Sequence, residues 1–318
     1  MKQKWKGGLL LFAAALIWGN SFVAQTTAAA SLGSFTFNAC RSFAAVGFLI
    51  MLLLFRKIKR KEKQPSAVQT AHEKKELWQW GIICGIALFF GFGLQQSGIA
   101  AYPAEASAAG RAGFLTSIQV VIVPLIEWIF GKKPRRLLFV SIAGVLCGMY
   151  LLCMSNGFRG LYVGDLLILL CTCAFGIYVI LVGKCRIQDS VRFCAVQFLT
   201  CGILSFFAAC LTESCSVADL IQAAVSILYA GILSSGVGYV LQASGQRYVE
   251  PSVATMIISL ESVAAAIAGW VILGERLSGR EICGCVLVFL FVLLAQMQNF
   301  EKKNGTKMKT ESGSGKMR

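Results

Sequence analysis

The sequence predicts an all-α polytopic membrane protein, with ten transmembrane helices arranged as two inverted five-helix repeats. Three observations predict it. Apolar runs of about 20 residues, the length that crosses a hydrocarbon core, recur from end to end. Lys and Arg gather in alternate connections between those runs. Short polar signatures of the first half return in the second. With 57% hydrophobic and only 14% charged residues, and a mean hydropathy of +0.70, the 318-residue chain lacks the charge to cover a soluble domain of its length.

The ten spans fall at Gly7–Ala29, Phe35–Phe55, Leu77–Ala100, Ala109–Phe130, Leu137–Ser155, Gly164–Gly183, Phe193–Thr212, Ala223–Gly245, Ser252–Leu273 and Glu281–Gln298. The basic start Met1–Lys6 and the small run Ala28-Ala29-Ala30 resemble a signal peptide. The apolar stretch runs to about Ala29 and carries Trp18, Asn20 and Gln25, which is too long for a signal h-region of roughly 7–15 residues. A retained first helix is therefore expected. Arg56–Glu76, charged and without apolar period, is expected to be a solvated loop. The Lys/Gly/Ser-rich tail, 299–318, is expected to be disordered, basic and cytoplasmic.

Cytoplasmic connections retain Lys and Arg. With the N-terminus inside, the cytoplasmic segments hold 25 of the 30 basic residues, and the outer ones hold only Arg111, Arg159, Arg276 and Arg280. Both termini are thus expected in the cytoplasm of a plasma (inner) membrane, multi-pass protein. The net charge of +15 follows from topology rather than from nucleic-acid binding, and no nucleic-acid partner is expected.

The halves match locally. Trp18-Gly19 pairs with Phe175-Gly176, Arg41 with Gln197, Leu94-Gln95 with Leu241-Gln242, and Gly131-Lys132-Lys133 with Gly274-Glu275-Arg276. Each half holds five spans, an odd number, so the second enters the membrane inverted. The proposed units are residues 1–156 and 157–298. Secondary transporters are often built this way, rocking around a midplane site.

These residues resemble a known family. Trp18-Gly19-Asn20-Ser21-Phe22, Arg41, the run 109–117 leading to Val123-Pro124-Leu125, and Ser259-Leu260-Glu261-Ser262-Val263 with Gly274-Glu275-Arg276 resemble the EamA-like branch of the drug/metabolite transporter superfamily. The resemblance covers roughly residues 5 to 298. It departs from the family pattern at Ser262, where members usually carry Pro, and has no first-half acid matching Glu261. It implies a substrate cavity lined by spans 1–4 and 6–9, with spans 5 and 10 peripheral and often at a dimer contact. Gly144 and Gly148 form a small-xxx-small face on span 5 that suits a homodimer through peripheral helices.

Polar groups at membrane depth are the functional candidates, because each is costly there. Arg41 offers a fixed positive charge for an anionic substrate group; alternatively it snorkels or satisfies span-end carbonyls. Glu261 is a candidate for proton coupling or for a cationic substrate group; alternatively it braces helices. Glu127, within about a turn of Lys132 and Lys133, is expected to form an interfacial salt bridge. Gln95, Gln119, Gln197 and Gln242 bring amides that need partners in lipid. Trp18, Asn20, Tyr178, Tyr239 and Trp270 add stacking or polar faces. Together they are the expected cavity residues. Gly274-Glu275-Arg276 is expected to be structural.

The chain holds no GxxxxGK[ST] phosphate loop, its one histidine is His72, and its 13 cysteines lie mostly in apolar runs without metal or disulfide spacing. Neither an enzyme nor a cofactor is expected. The expected function is secondary transport of small metabolites, amino-acid-like or drug-like, by alternating access and in the export direction. A non-transporting membrane protein, such as a membrane-embedded enzyme or a structural partner, and a channel are the alternatives. The partners expected are a small-molecule substrate and the lipid bilayer.

Overall fold

A computed structural model describes residues 2–61, 71–103, 108–131, 136–153, 162–185, 188–264, 278–280 and 282–294. Among them all regular structure is helical. Seven helices are long and apolar enough to cross a membrane: α1 (Gln3–Ala29), α2 (Ser34–Ile58), α3 (His72–Ala100), α4 (Ala112–Ile129), α6 (Val163–Lys184), α7 (Ser190–Thr212) and α8 (Ala224–Gly245). Three shorter apolar helices, α5 (Leu137–Leu151), α9 (Pro251–Ala264) and α10 (Ile282–Leu294), lie where the sequence places its fifth, ninth and tenth spans. Trp270, Gly274-Glu275-Arg276, Lys132, Lys133 and the tail lie outside the described residues.

The helices pack into a bundle whose centre is aromatic. α2 lies along α7, α3 against both α6 and α7, and α8 against α1 and α2. Phe92, Phe175, Tyr178, Phe198 and Tyr239 are buried in its core. The opposite helix faces present apolar side chains outward, including Leu9 and Leu16 of α1 and Phe206 and Phe207 of α7. A helix that is apolar on both faces fits a bundle whose outer solvent is lipid.

Glycines set the tightest approaches. A Cβ on Gly164 of α6 would lie 2.7 Å from the Gly98 carbonyl oxygen of α3, and one on Gly7 of α1 would lie 2.9 Å from the Gly245 carbonyl of α8. On Gly85 of α3 it would meet the Gln197 carbonyl at 2.6 Å, and on Gly231 of α8 the Arg41 carbonyl at 2.8 Å. Only a missing side chain lets these backbones come so close. On α5, the Gly144 and Gly148 face is filled by Phe291, Gly284 and Val288 of α10 in the same chain. The surface expected to meet a second copy is therefore occupied within the chain.

Four helices lose regularity near mid-length. α1 breaks at Asn20, α4 at Ile118, and α9 at Ser259-Leu260, where 3₁₀-type bonds run from Leu260 N–H to the Ile257 carbonyl and from Ser262 N–H to that of Ser259. α8 widens into a π-helix over Tyr229–Gly238. Nine residues separate Gly85 from Gln95 in α3, and ten separate Gly231 from Gln242 in α8. A π turn absorbs one added residue without changing the helix ends.

Helix ends are tied by carboxylates. Glu213, just past α7, accepts the Phe35 N–H at 2.9 Å, the Thr36 N–H at 2.8 Å and the Thr36 hydroxyl at 2.7 Å, capping the start of α2. Asp165 opens α6, accepting the Tyr162 N–H at 2.9 Å and the Tyr102 hydroxyl of α3 at 2.8 Å.

Candidate functional site

A cavity opens where the irregular parts of the helices converge. It encloses about 540 Å³ of empty space, including the part open to the outside. α1 gives it Trp18, Ser21, Phe22 and Gln25. α2 gives Arg41, α3 Phe92 and Gln95, and α4 Thr116 and Gln119. Opposite them stand Phe175, Tyr178 and Val179 of α6, Ser234, Tyr239 and Gln242 of α8, and Ile258 and Glu261 of α9. Each irregularity adjoins lining residues: Asn20 is followed by Ser21, Ile118 by Gln119, the π segment contains Ser234, and Ser259-Leu260 stand between Ile258 and Glu261. Broken backbone at membrane depth is tolerated where it borders a cavity or is buried in protein.

Tyr239 is the hub of the aromatic wall. Its ring centre lies 4.9 Å from that of Trp18, 5.1 Å from Phe198, 5.7 Å from Tyr178 and 5.8 Å from Phe92. These separations suit tilted and edge-to-face contacts. The four rings thus pack around Tyr239 as one aromatic wall.

Arg41 is 2% exposed. Its Nε donates to the Ser235 hydroxyl at 3.2 Å and its Nη2 to the Ser234 hydroxyl at 3.4 Å, while Nη1 has no hydrogen-bond partner among the described residues. The guanidinium carbon lies 4.1 Å from the centre of the Phe92 ring and 5.8 Å from that of Phe37. No carboxylate among the described residues forms an ion pair with it. Ser234 is itself fixed by α1: its carbonyl accepts the Trp18 indole N–H at 3.0 Å, and its hydroxyl accepts that of Ser21 at 3.1 Å. Arg41 is therefore a held, buried cation facing an aromatic ring.

Glu261 is 7% exposed, lines the cavity, and carries no hydrogen bond or ion pair among the described residues. It and Arg41 are not paired, so the cavity holds a guanidinium and a carboxyl group apart. The side-chain oxygens of Gln25 and Gln242 likewise have no hydrogen-bond partner among the described residues. Such a site can hold a molecule with both polar and aromatic parts.

The expected cavity residues are distributed as follows. Trp18, Arg41, Gln95, Gln119, Tyr178, Tyr239, Gln242 and Glu261 meet around the cavity. Asn20 does not line it; its amide nitrogen donates back to the Leu16 carbonyl at 3.2 Å, filling the break in its own helix. Gln197 stands behind the lining, accepting the Tyr178 hydroxyl at 3.3 Å. Glu127 is buried and accepts a hydrogen bond from Ser252 of α9, joining α4 to α9. Sequence reasoning missed Ser21, Gln25, Phe92, Thr116, Phe175 and Ser234 as lining residues. Ser21 and Phe175 lie in matched or motif segments, a signal that was available; a lone hydroxyl such as Ser234 carries none.

The EamA-like transporter family model matches this sequence over residues 5–154 and again over 162–297. The chain belongs to the EamA-like transporter family. A transporter of Archaeoglobus fulgidus described as uncharacterized is 27% identical over 290 residues, 89% of this chain and 83% of that one. An uncharacterized transporter of Bacillus subtilis, YoaV, is 23% identical over 282 residues, 86% of this chain and 90% of that one. A solved crystal structure shares the fold at a TM-score of 0.72 and 19% identity, covering 93% of this chain and 98% of its own. The EamA-like protein is thus a multi-pass membrane transporter, a kind of protein that binds small molecules within a lipid bilayer.

Proposed function

We propose that the protein is a secondary transporter that exports small metabolites, amino-acid-like or drug-like, across the plasma membrane by alternating access around this cavity. The observation that carries the reading is the break in α1, α4, α8 and α9 beside lining residues. Discontinuous helices at mid-depth are how carriers expose backbone and polar side chains to a substrate. The separated charges of Arg41 and Glu261 suit a substrate bearing polar groups at both ends, and the aromatic wall suits an apolar body.

The two halves, 1–156 and 157–298, are proposed as inverted repeats of five helices. The glycine contacts support this. Gly7 and Gly164 share the offset of Gly19 and Gly176, and Gly98 and Gly245 that of Gln95 and Gln242. Exchanging the halves therefore turns the α3–α6 approach into the α8–α1 approach. The Gly85–Gln197 approach likewise becomes Gly231–Arg41 once the extra residue of α8 is allowed for. The ten-span topology with both termini cytoplasmic is supported by the distribution of Lys and Arg.

The test is flux in proteoliposomes holding the purified full chain, loaded with a metabolite panel. Saturable efflux of a panel member with competition between its analogues is expected. Unsaturated ion conductance would replace the carrier by a channel, and the absence of flux across the panel would remove the transport cycle proposed here.

A further inference from the structure

We propose that Arg41 is the anchor for a carboxylate on the transported molecule, engaged through Nη1, and that the π-helical turn of α8 exists to aim it. The proposal rests on the cavity being the transport site.

Three of the guanidinium's nitrogens have distinct fates. Nε and Nη2 are committed to Ser235 and Ser234, and Nη1 is not. A buried cation without an anion is costly unless something compensates it. The Phe92 ring and two hydroxyls compensate in part, without neutralising the charge. A carboxylate arriving in the cavity completes the set, because guanidinium N–H groups match carboxylate oxygens in geometry as well as charge. Charge balance favours a monoanion. The lining contributes one cation, Arg41, so a doubly charged phosphate ester would find no second cation among the described lining residues.

The aiming follows from helix geometry. Within the π segment the adjacent residues Ser234 and Ser235 both place their hydroxyls on the same guanidinium. The matching stretch of α3, one residue shorter, is regular helix. Arg41's counterpart Gln197 is held by Tyr178 instead. The anion site is thus a feature of one half only.

The test uses the full-length protein in lipid nanodiscs and a matched pair of probes, 3-phenylpropanoate and 3-phenylpropanamide, which differ in charge and keep an aromatic body for the wall. Thermal stabilisation reads binding by mass action. The carboxylate is expected to raise the wild-type Tm and the amide to leave it unchanged. Arg41→Gln is expected to remove the preference. Ser235→Ala, which keeps the charge but frees Nε, is expected to weaken carboxylate binding about fivefold, and it serves as the readout if Arg41→Gln does not fold. Equal stabilisation by the two probes, a preference that survives Arg41→Gln, unchanged affinity in Ser235→Ala, or stabilisation by neither probe would each overturn the assignment. Flux separates this from the transport reading: saturable efflux without charge preference removes the anchor and leaves the carrier, whereas Arg41-dependent binding without efflux removes the carrier.

Discussion

The guanidinium carbon of Arg41 lies 4.1 Å from the centre of the Phe92 ring. The ring in turn meets Phe175 and Tyr239 edge-on, with centres 5.6 and 5.8 Å away. One side chain thus links the buried charge to the aromatic wall. Phe92→Leu keeps an apolar group and loses the ring face. It is expected to destabilise the protein by about 2 kcal/mol, the scale of a desolvated cation–π contact, with the loss read from denaturant unfolding in detergent micelles.

The glycine approaches give a paired prediction. At Gly164 and Gly7 a Cβ would meet backbone carbonyls, which cannot rotate aside. Gly164→Ala and Gly7→Ala are each expected to cost about 1–3 kcal/mol. A Cβ at Gly47 meets nothing within 4 Å, so Gly47→Ala is expected to be neutral or slightly stabilising through its helix propensity. Thermal unfolding of the three variants checks the order.

Glu213 and Gly33 form a lock-like pair. A Cβ on Gly33 would fall onto the Glu213 carboxylate, which also caps the start of α2. Glu213→Ala and Gly33→Ala should therefore produce the same fault, a frayed α2 start, at about 1–2 kcal/mol. Hydrogen exchange at Phe35 and Thr36 reports it, and the double variant is expected to be less than additive.

Among the described lining residues Glu261 is the only carboxylate. Glu261→Gln preserves shape and removes the ionisable group. Flux that varies with pH in the wild type is expected to become flat in this variant. An unaltered pH profile would take Glu261 out of the transport step.

Outside the spans, Ser216 and Asp219 form a capping box: the Ser216 hydroxyl and N–H donate to the carboxylate at 2.7 and 2.9 Å. These bonds hold the Asp219 carboxyl below the ordinary carboxylate range, the Ser216 side chain having the larger effect. A lowered folded-state value means the cap contributes above the unfolded value and is lost as pH falls through the folded one. The turn Val217–Gln222 is expected to loosen only in acid, and Asp219→Asn should show faster amide exchange there at neutral pH.

The helices were legible in the sequence because lipid leaves the backbone no other choice, so about twenty apolar residues stand for one element. Cavity amides such as Gln95 and Gln242 were legible because an amide in an apolar span needs a partner. The π segment was not. The interval from Gly231 to Gln242 is one residue longer than that from Gly85 to Gln95, and Tyr229–Gly238 has an ordinary apolar composition. Ser234 and Ser235 went unnoticed with it, since small hydroxyls are common in membrane helices, where they bond to their own backbone. Asn20 shows the reverse case: a polar residue beside a cavity motif whose side chain turns back to Leu16.

If the halves are the inverted repeats proposed above, the π turn of α8 has a consequence for energetics. Two equal halves exchanged by an inverted pseudo-symmetry would leave the inward-open and outward-open forms isoenergetic, and an empty carrier would idle between them. A turn present in one half alone breaks that degeneracy. The resting preference of the proposed cycle would then depend in part on a single residue of chain length, and shortening α8 by one residue between Gly231 and Gln242 would shift the balance between the two forms.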